Sequence, residues 1–213
     1  MAGEAVGRII TSDACVVEGA EWLSVRCPEM ARAYAVSSPL PLRLKPEGFA
    51  ELLSAIISQQ VSVASARAIW GRIVEAGLDD QTAMTCANDE QLKTCGLSRQ
   101  KMRYARALAT SGVDFDGLRK MPDAEVVKTL TAITGIGVWT AEIYTKFSLG
   151  RADAFAAGDL ALQEGAKMLY GFETRPTEKE LRAMAEAWRP WRSVAARILW
   201  AYYADQKKRE GIA

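Results

Sequence analysis

The sequence predicts an all-α fold, and three observations support this. No segment alternates apolar and polar residues convincingly, as a half-buried β-strand would. Apolar residues instead recur three and four positions apart, for example at Phe49, Leu52, Leu53 and Ile56. Cap residues and helix-ending glycines separate these runs. With 213 residues, 49% of them hydrophobic, the chain is long enough to bury the core of one large or two small domains.

The first part of the chain predicts a short terminal segment followed by two helices. Residues 1–11 are small and glycine-containing, and we expect them to form a loose terminus. Ser12 or Asp13 predicts the cap of a helix that ends near Val25, and Pro28 predicts the start of a second helix that ends near Val36. The three prolines in residues 37–46 then predict a connection over the surface.

The middle of the chain predicts further helices, each marked by an apolar stripe or a cap. A helix with a strongly apolar face is expected from Pro46 to Gln60, and Ser62 predicts the cap of the next one, which reaches Ala76. Gln59 and Gln60 then lie at the junction of two helices. The remaining predictions are a short helix over residues 88–95, ended by Gly96, and a helix that Ser98 caps and that ends near Ser111.

Residues 121–147 predict two helices joined by a tight turn. The first helix follows Pro122 and Asp123, and the second carries an apolar face; Gly135-Ile136-Gly137 lies between them. Without side chains at these glycines, the amides that open the second helix at Val138 could bind an anion such as a DNA phosphate. The alternative is a plain helical hairpin whose glycines serve only the turn. A dinucleotide-binding turn is rejected, because Thr140 stands where its third glycine belongs and a helix precedes the turn.

Asp159 follows Gly158 and predicts the start of a helix that contains Leu160 and Leu162. A simple N-cap is the commonest use of such an aspartate. The same position suits catalysis, because the helix dipole favours the ionised carboxylate and an anion stabilises positive charge that develops in a transition state. Asp153 is the rival carboxylate, and we assign it to fixing the loop. The last helices are predicted to start at Pro176, with Thr177 and Glu180 as a capping box, and at Pro190.

Composition excludes several classes of site. The net charge is only +1, so phosphate binding must rely on local clusters such as Lys101 with its neighbouring arginines. For this cluster a solvated helix face is the simpler interpretation. The chain has no histidine, which removes the commonest general base and metal ligand. Its four cysteines form no close pair, and no apolar run is long enough to span a membrane, so we expect a reduced cytoplasmic protein.

Four motifs resemble the helix-hairpin-helix DNA glycosylases, and within them the 3-methyladenine DNA glycosylase II branch. They are LTAITGIGVWTA at 130–141, DAFAAGD at 153–159, FAELLSAIISQQVSV at 49–63 and WRPWRSVAARILW at 188–200. The resemblance implies two helical subdomains with a DNA-binding cleft between them. On this basis residues 1–45 are N-terminal helices packing on the C-terminal half. Residues 46–150 form a subdomain that ends in the helix-hairpin-helix at about 121–150, and residues 151–213 supply the catalytic loop and the last helices.

The resemblance also implies roles for individual residues. Asp159 matches the catalytic aspartate, Trp139 and Trp200 match pocket residues, and Ile143 stands where some relatives have tyrosine. Tyr144 and Trp191 are further aromatic candidates for binding the base. Gln60 matches the wedge that fills the space of the extruded nucleotide, with Gln59 beside it. The candidates for DNA contact are therefore Gln59, Gln60, Gly135, Gly137, Val138 and Lys101.

Expectations about cofactors follow from the same resemblance. The backbone carbonyls of Thr131, Ile133 and Ile136 match those that hold a structural Na⁺ or K⁺ at the hairpin. No catalytic cofactor is expected. Some relatives bind an iron–sulfur cluster through four clustered cysteines near the C-terminus, but the last cysteine here is Cys95, so no cluster is expected.

The function implied is a DNA glycosylase that flips out and releases alkylated purines of the 3-methyladenine or 7-methylguanine type. Bifunctional relatives carry a Schiff-base lysine where this chain has Trp139, so we expect a hydrolase without lyase activity. The expected partner is double-stranded DNA with a damaged base, bound by a cytoplasmic monomer that associates with the nucleoid in a bacterium. The alternatives are a non-catalytic DNA-binding protein and a glycosylase for oxidised or mismatched bases.

Overall fold

A computed structural model describes residues 6–209 of the chain. The regular secondary structure of these residues is helical. They form thirteen α-helices and one 3-10 turn. The only β-type pairing within residues 6–209 is an isolated antiparallel bridge between Ile9 and Arg151. The prediction of an all-α fold is therefore confirmed. Part of the predicted loose terminus, residues 1–5, lies outside the described residues.

The two N-terminal helices are α1 (Asp13–Arg26) and α2 (Pro28–Ser37), close to their predicted bounds. Ser12 occupies the N-cap position of α1, but its side chain makes no capping hydrogen bond. Pro28 is the first residue of α2, a position at which a backbone N–H would have no hydrogen-bond partner within the helix. Proline, which lacks this N–H, is therefore well tolerated there.

Two further helices follow the proline-rich connection: α3 (Phe49–Ser58) and α4 (Val63–Glu75). The helix α3 begins three residues later than predicted, directly after Gly48. Gly48 has a φ of 97°, which is incompatible with a right-handed helix. The side chain of Ser62 accepts a hydrogen bond from the Ser65 amide, which confirms the predicted cap of α4.

Two short helices in the middle of the chain were not predicted from the sequence, and each of them starts at an aspartate cap. Asp80 accepts from the Ala83 amide, and Asp114 accepts from the Gly117 amide. Both helices are too short to show an apolar period, so only the caps signalled them. The helices of this part are α5 (Gln81–Cys86), α6 (Asp89–Thr94), α7 (Arg99–Ala109) and α8 (Phe115–Leu118).

The predicted hairpin consists of α9 (Asp123–Thr131) and α10 (Val138–Phe147). The chain ends with α11 (Leu160–Tyr170), α12 (Glu178–Met184), a 3-10 turn (Ala185–Trp188) and α13 (Arg192–Arg209). Thr177 and Glu180 form the predicted capping box of α12. The last helix begins at Arg192 rather than at Pro190.

The fold comprises two compact units. The first contains Lys45–Tyr144, and within it α3 packs against α4 and α7. The second contains Gly7–Leu44 and the chain from Thr145 onward. In this second unit α13 packs against α1, α2 and α11, so helices from both ends of the chain share one core.

Candidate active site

Asp159 is held in place by two hydrogen bonds in the second unit. It is the N-cap of α11, and its Oδ1 accepts from the Leu162 amide at 3.0 Å and from the Trp200 indole N–H at 3.0 Å. The cap predicted from the sequence is therefore confirmed. The carboxylate lies half-buried at the N-terminal end of an eleven-residue helix, where the helix dipole is positive.

The indole of Trp200 is itself fixed by two neighbours from the end of α10. The Phe147 ring stacks on it with a centroid separation of 5.7 Å and an interplanar angle of 23°. The Lys146 ammonium lies 4.3 Å from the Trp200 ring centroid. Lys146 was not predicted from the sequence; the only signal for it was a charged residue seven positions after Trp139 on the same helix.

The loop that leads to Asp159 is anchored at several points. Asp153 accepts hydrogen bonds from Arg192 at 2.8 and 2.9 Å and from Arg189 at 2.9 Å. The Gln163 side chain donates to the Ala157 carbonyl at 2.9 Å. Asp153 thus fixes the loop through two arginines, and it has the structural role assigned to it from the sequence.

In the first unit the two glycines of the hairpin turn have different surroundings. Gly135 has a φ of 100°, and a β-carbon there would lie 2.4 Å from Cγ of Tyr104. Its carbonyl accepts a hydrogen bond from the Gln59 side chain at 3.0 Å. A β-carbon at Gly137 would meet no atom within 4 Å. Packing and backbone conformation therefore require Gly135, and only Gly137 leaves open space for an approaching anion.

An open groove of about 810 Å³ in the first unit brings together most of the residues predicted to contact DNA. Gln60 is exposed there, with a left-handed φ of 56° that is unusual for a residue with a side chain. The neighbouring Val138 is 48% exposed at the start of α10. The groove is lined by Gln59, Gln60, Lys101, Tyr104, Gly135, Gly137 and other residues of the same unit.

Two of these predicted residues are engaged within the protein. The Lys101 ammonium donates to the Ile57 carbonyl in the last turn of α3, and burial lowers the pKa of this lysine. The Gln59 side chain holds the hairpin turn through Gly135. Both side chains therefore position backbone in this structure, and Gln60 is the exposed side chain at the junction.

The candidates for binding the base divide into exposed and buried side chains. Trp139 is 46% exposed, and Ile143 and Trp200 are half-buried. Tyr144 is only 3% exposed, and its hydroxyl accepts from the Gly48 amide at 2.7 Å. Burial raises the pKa of that hydroxyl.

Trp191 belongs to the core of the second unit. It is 4% exposed, and a β-carbon at Gly19 would lie 2.6 Å from its ring. The structure therefore does not support Trp191 or Tyr144 as surfaces for a base, because both rings are buried by packing. Trp200 and Trp139 have the surface that such a contact requires.

No helix within residues 6–209 combines the length and the apolar composition needed to cross a bilayer. The same part of the chain contains no group of three or more His, Cys, Asp or Glu side chains arranged to hold a metal ion.

Comparison with known proteins identifies the family of this chain. The profile of the HhH-GPD superfamily of base excision DNA repair proteins matches residues 53–191. The alkylbase DNA glycosidase-like protein mag2 of Schizosaccharomyces pombe is 28% identical over 173 residues, which cover 76% of this chain and 80% of that protein.

Two solved structures share the fold. The crystal structure of a DNA-3-methyladenine glycosidase from Bacillus halodurans superposes with a TM-score of 0.81 at 33% identity, and the match covers 94% of each chain. The Schizosaccharomyces pombe 3-methyladenine DNA glycosylase Mag1, solved in complex with abasic DNA, superposes with a TM-score of 0.72 at 28% identity. That match covers 86% of this chain and 95% of the other.

Proposed function

The chain belongs to the HhH-GPD superfamily of base excision DNA repair proteins, and we propose that it is a monofunctional DNA glycosylase. It hydrolyses the N-glycosidic bond of alkylated purines of the 3-methyladenine and 7-methylguanine type and leaves an abasic site. The observation that carries this proposal is the carboxylate of Asp159, held at the start of α11 by the Leu162 amide and the Trp200 indole.

The chemistry follows from what such a carboxylate does to a sugar. Breaking the glycosidic bond builds positive charge on the deoxyribose, and a fixed anion stabilises that charge more than it stabilises the neutral ground state. The same group also orients the attacking water. Alkylation at N3 of adenine or N7 of guanine makes the base a good leaving group, so the reaction needs no strong general acid. A chain without histidine suits this mechanism.

Recognition of the base and of the strand falls to different residues. Trp200, beside Asp159, and the half-exposed Trp139 offer electron-rich faces that stack on a cationic base. Gln60 enters the duplex when the nucleotide is extruded, and the amides that follow Gly137 bind a backbone phosphate. Support for this division comes from the open space at Gly137 and the exposure of Gln60.

The absence of a lyase step rests on the residues of α10. Trp139 occupies the position at which bifunctional relatives carry their lysine. Lys146, two turns later, is 0% exposed and has its ammonium against the face of Trp200. Neither residue offers an accessible amine to form a Schiff base with the sugar.

The hairpin also suits a structural monovalent cation. The carbonyls of Thr131, Ile133 and Ile136 are hard oxygen donors of the kind that Na⁺ and K⁺ accept. The Ile133 carbonyl accepts one hydrogen bond, from the Ile136 amide at 3.0 Å, and each carbonyl oxygen has two lone pairs. These three residues would hold the ion, which would add positive charge where a phosphate binds.

The direct test is to incubate the protein with duplex DNA that contains a single 3-methyladenine or 7-methylguanine and to measure the released base. Release without strand cleavage, and without borohydride trapping of the protein on DNA, is the expected result. Binding without release would favour a non-catalytic DNA-binding protein. Release of 8-oxoguanine with strand nicking would favour the alternative glycosylase and contradict the argument from Trp139.

A further inference from the structure

The second unit buries a lysine against the aromatic partner of the proposed catalytic carboxylate. Lys146 is 0% exposed, and lysine is seldom so fully buried because an ammonium is costly to remove from water. Three rings surround its ammonium, with centroids at 4.3 Å for Trp200, 5.6 Å for Phe155 and 5.8 Å for Phe147. Trp200 is the nearest of the three, and indole is the ring that attracts a cation most strongly.

The contact connects Lys146 to the carboxylate through one side chain. The ammonium lies over the ring of Trp200, and the indole N–H of the same ring donates to Asp159 Oδ1 at 3.0 Å. A cation over the face of an aromatic ring draws electron density from it, which makes the ring N–H a stronger donor. Groups linked in this way polarise one another, most strongly where water is excluded.

Stacking on Phe147 restricts the same indole. With a centroid separation of 5.7 Å and 23° between the planes, the Phe147 ring limits how far Trp200 can rotate. The N–H of Trp200 is therefore directed at the carboxylate by contacts with two successive residues of α10. A lysine that only filled space beside the ring would not affect the strength of this hydrogen bond.

We infer that Lys146 is a positioning residue, which acts through Trp200 to hold the Asp159 carboxylate in the orientation needed for base release. This inference rests on the proposed glycosylase function. It concerns the rate of the chemical step, because Lys146 is buried and contacts neither the strand nor the base. Substitution of Lys146 should therefore change the rate of release and leave the affinity for DNA unchanged.

A double-mutant cycle tests the inference with Lys146→Met, Trp200→Phe and the two combined. The measurements are single-turnover release of 7-methylguanine, affinity for a duplex with an uncleavable abasic analogue, and thermal melting. Lys146→Met should slow release about tenfold and change the affinity less than about twofold. In the Trp200→Phe background, which lacks the N–H, the same substitution should change the rate less than about twofold.

Two further variants serve as controls for the charge of Lys146. Lys146→Arg retains the cation and should remain within about threefold of the wild type. Lys179→Met is the matched control, because Lys179 is exposed on α12 and its charge loss should have no effect. If Lys146→Met does not fold at the assay temperature, Lys146→Gln, which also lacks the charge, replaces it in the cycle.

Specific outcomes would overturn the inference. Effects of Lys146 and Trp200 that simply multiply would show that the lysine acts independently of the indole. A faster Lys146→Met variant would show that its charge mainly opposes the cationic sugar. A wild type that releases no base would overturn the proposed function as well, whereas normal release with multiplying effects would overturn the inference alone.

Discussion

In the proposed mechanism the hairpin turn and the Asp159 site both place a functional group at the start of a helix, but by opposite means. At the hairpin the functional atoms are backbone amides, and side chains such as Tyr104 and Gln59 only shape the turn around Gly135. At Asp159 the functional atoms belong to a side chain, and its supports are the Leu162 amide and the Trp200 indole. Backbone function requires that certain side chains be absent, whereas side-chain function requires particular partners to be present.

This difference predicts that the two regions fail in different ways. Substitutions at the hairpin should weaken binding to DNA or unfold the turn, because they alter access to the amides. Substitutions around Asp159 should slow base release on DNA that still binds, because they alter an interaction that matters most in the transition state. Loss of DNA binding and loss of base release can therefore be separated experimentally.

The largest effect is expected for Asp159→Asn. Asparagine keeps an oxygen that accepts from Leu162 and Trp200, so the cap and the fold should survive, but the negative charge is lost. Base release should fall about 10³-fold, with affinity for DNA retained. Single-turnover release and thermal melting would measure this. Asp153→Asn is the matched control in the same loop, and equal losses from the two variants would contradict the assignment.

The two glycines of the turn offer the next test. Gly135→Ala should destabilise the protein by about 2–4 kcal/mol, because it forces an L-residue to a φ of 100° and overlaps Tyr104. Gly137→Ala should melt like the wild type but bind DNA about tenfold more weakly, because one amide loses its phosphate. Chemical unfolding and fluorescence anisotropy separate these effects. A stable Gly135→Ala protein that lost only DNA binding would reverse the roles given to the glycines.

Trp200→Phe should have an intermediate effect on rate. It removes the indole N–H that donates to Asp159 at 3.0 Å but leaves an aromatic ring to stack on Phe147 and on the base. A hydrogen bond to a charged group contributes about 1.5–3 kcal/mol, so release should slow by about 10-fold to 100-fold. The rate is measured under single-turnover conditions. Full activity would mean that the indole N–H of Trp200 is not needed to position the carboxylate.

The smallest effect on stability is expected for Gln60→Gly. Gln60 has a φ of 56°, and glycine relieves that conformation at the cost of a more flexible unfolded chain, so the net gain should be between zero and about 1 kcal/mol. Base release should still slow, since the side chain that fills the duplex is missing. Gln60→Ala, which keeps the unfavourable backbone conformation, is the control. Unchanged release in both variants would exclude Gln60 as the wedge.

Sequence reasoning identified the longer helices because apolar periodicity and caps both marked them. It missed α5 and α8, which have six and four residues and so are shorter than two turns of helix, although Asp80 and Asp114 signalled their starts. Asp159 was found as a cap because Gly-Asp precedes an apolar run, a purely local feature. Its bond to Trp200 joins residues 41 positions apart, and no local pattern contains such a contact.

Contacts that depend on packing were the hardest to predict from the sequence. Lysine is normally found on the surface, so a fully buried Lys146 was not considered, and the hydrogen bond from Lys101 to the Ile57 carbonyl was not predicted. Tyr144 and Trp191 were considered for the base because they are aromatic, yet burial removes them from that role. Residue type indicates what a side chain is able to bind, but only packing determines whether it is accessible.

In the proposed mechanism one oxygen of Asp159 both caps α11 and belongs to the reactive carboxylate, which affects how this protein could change in evolution. A single-base mutation of the codon to asparagine should lower base release about 10³-fold yet leave a folded chain that still binds DNA. Selection for folding alone would not remove such a descendant. We therefore expect some relatives to carry asparagine at this position, and comparison of their sequences would reveal them.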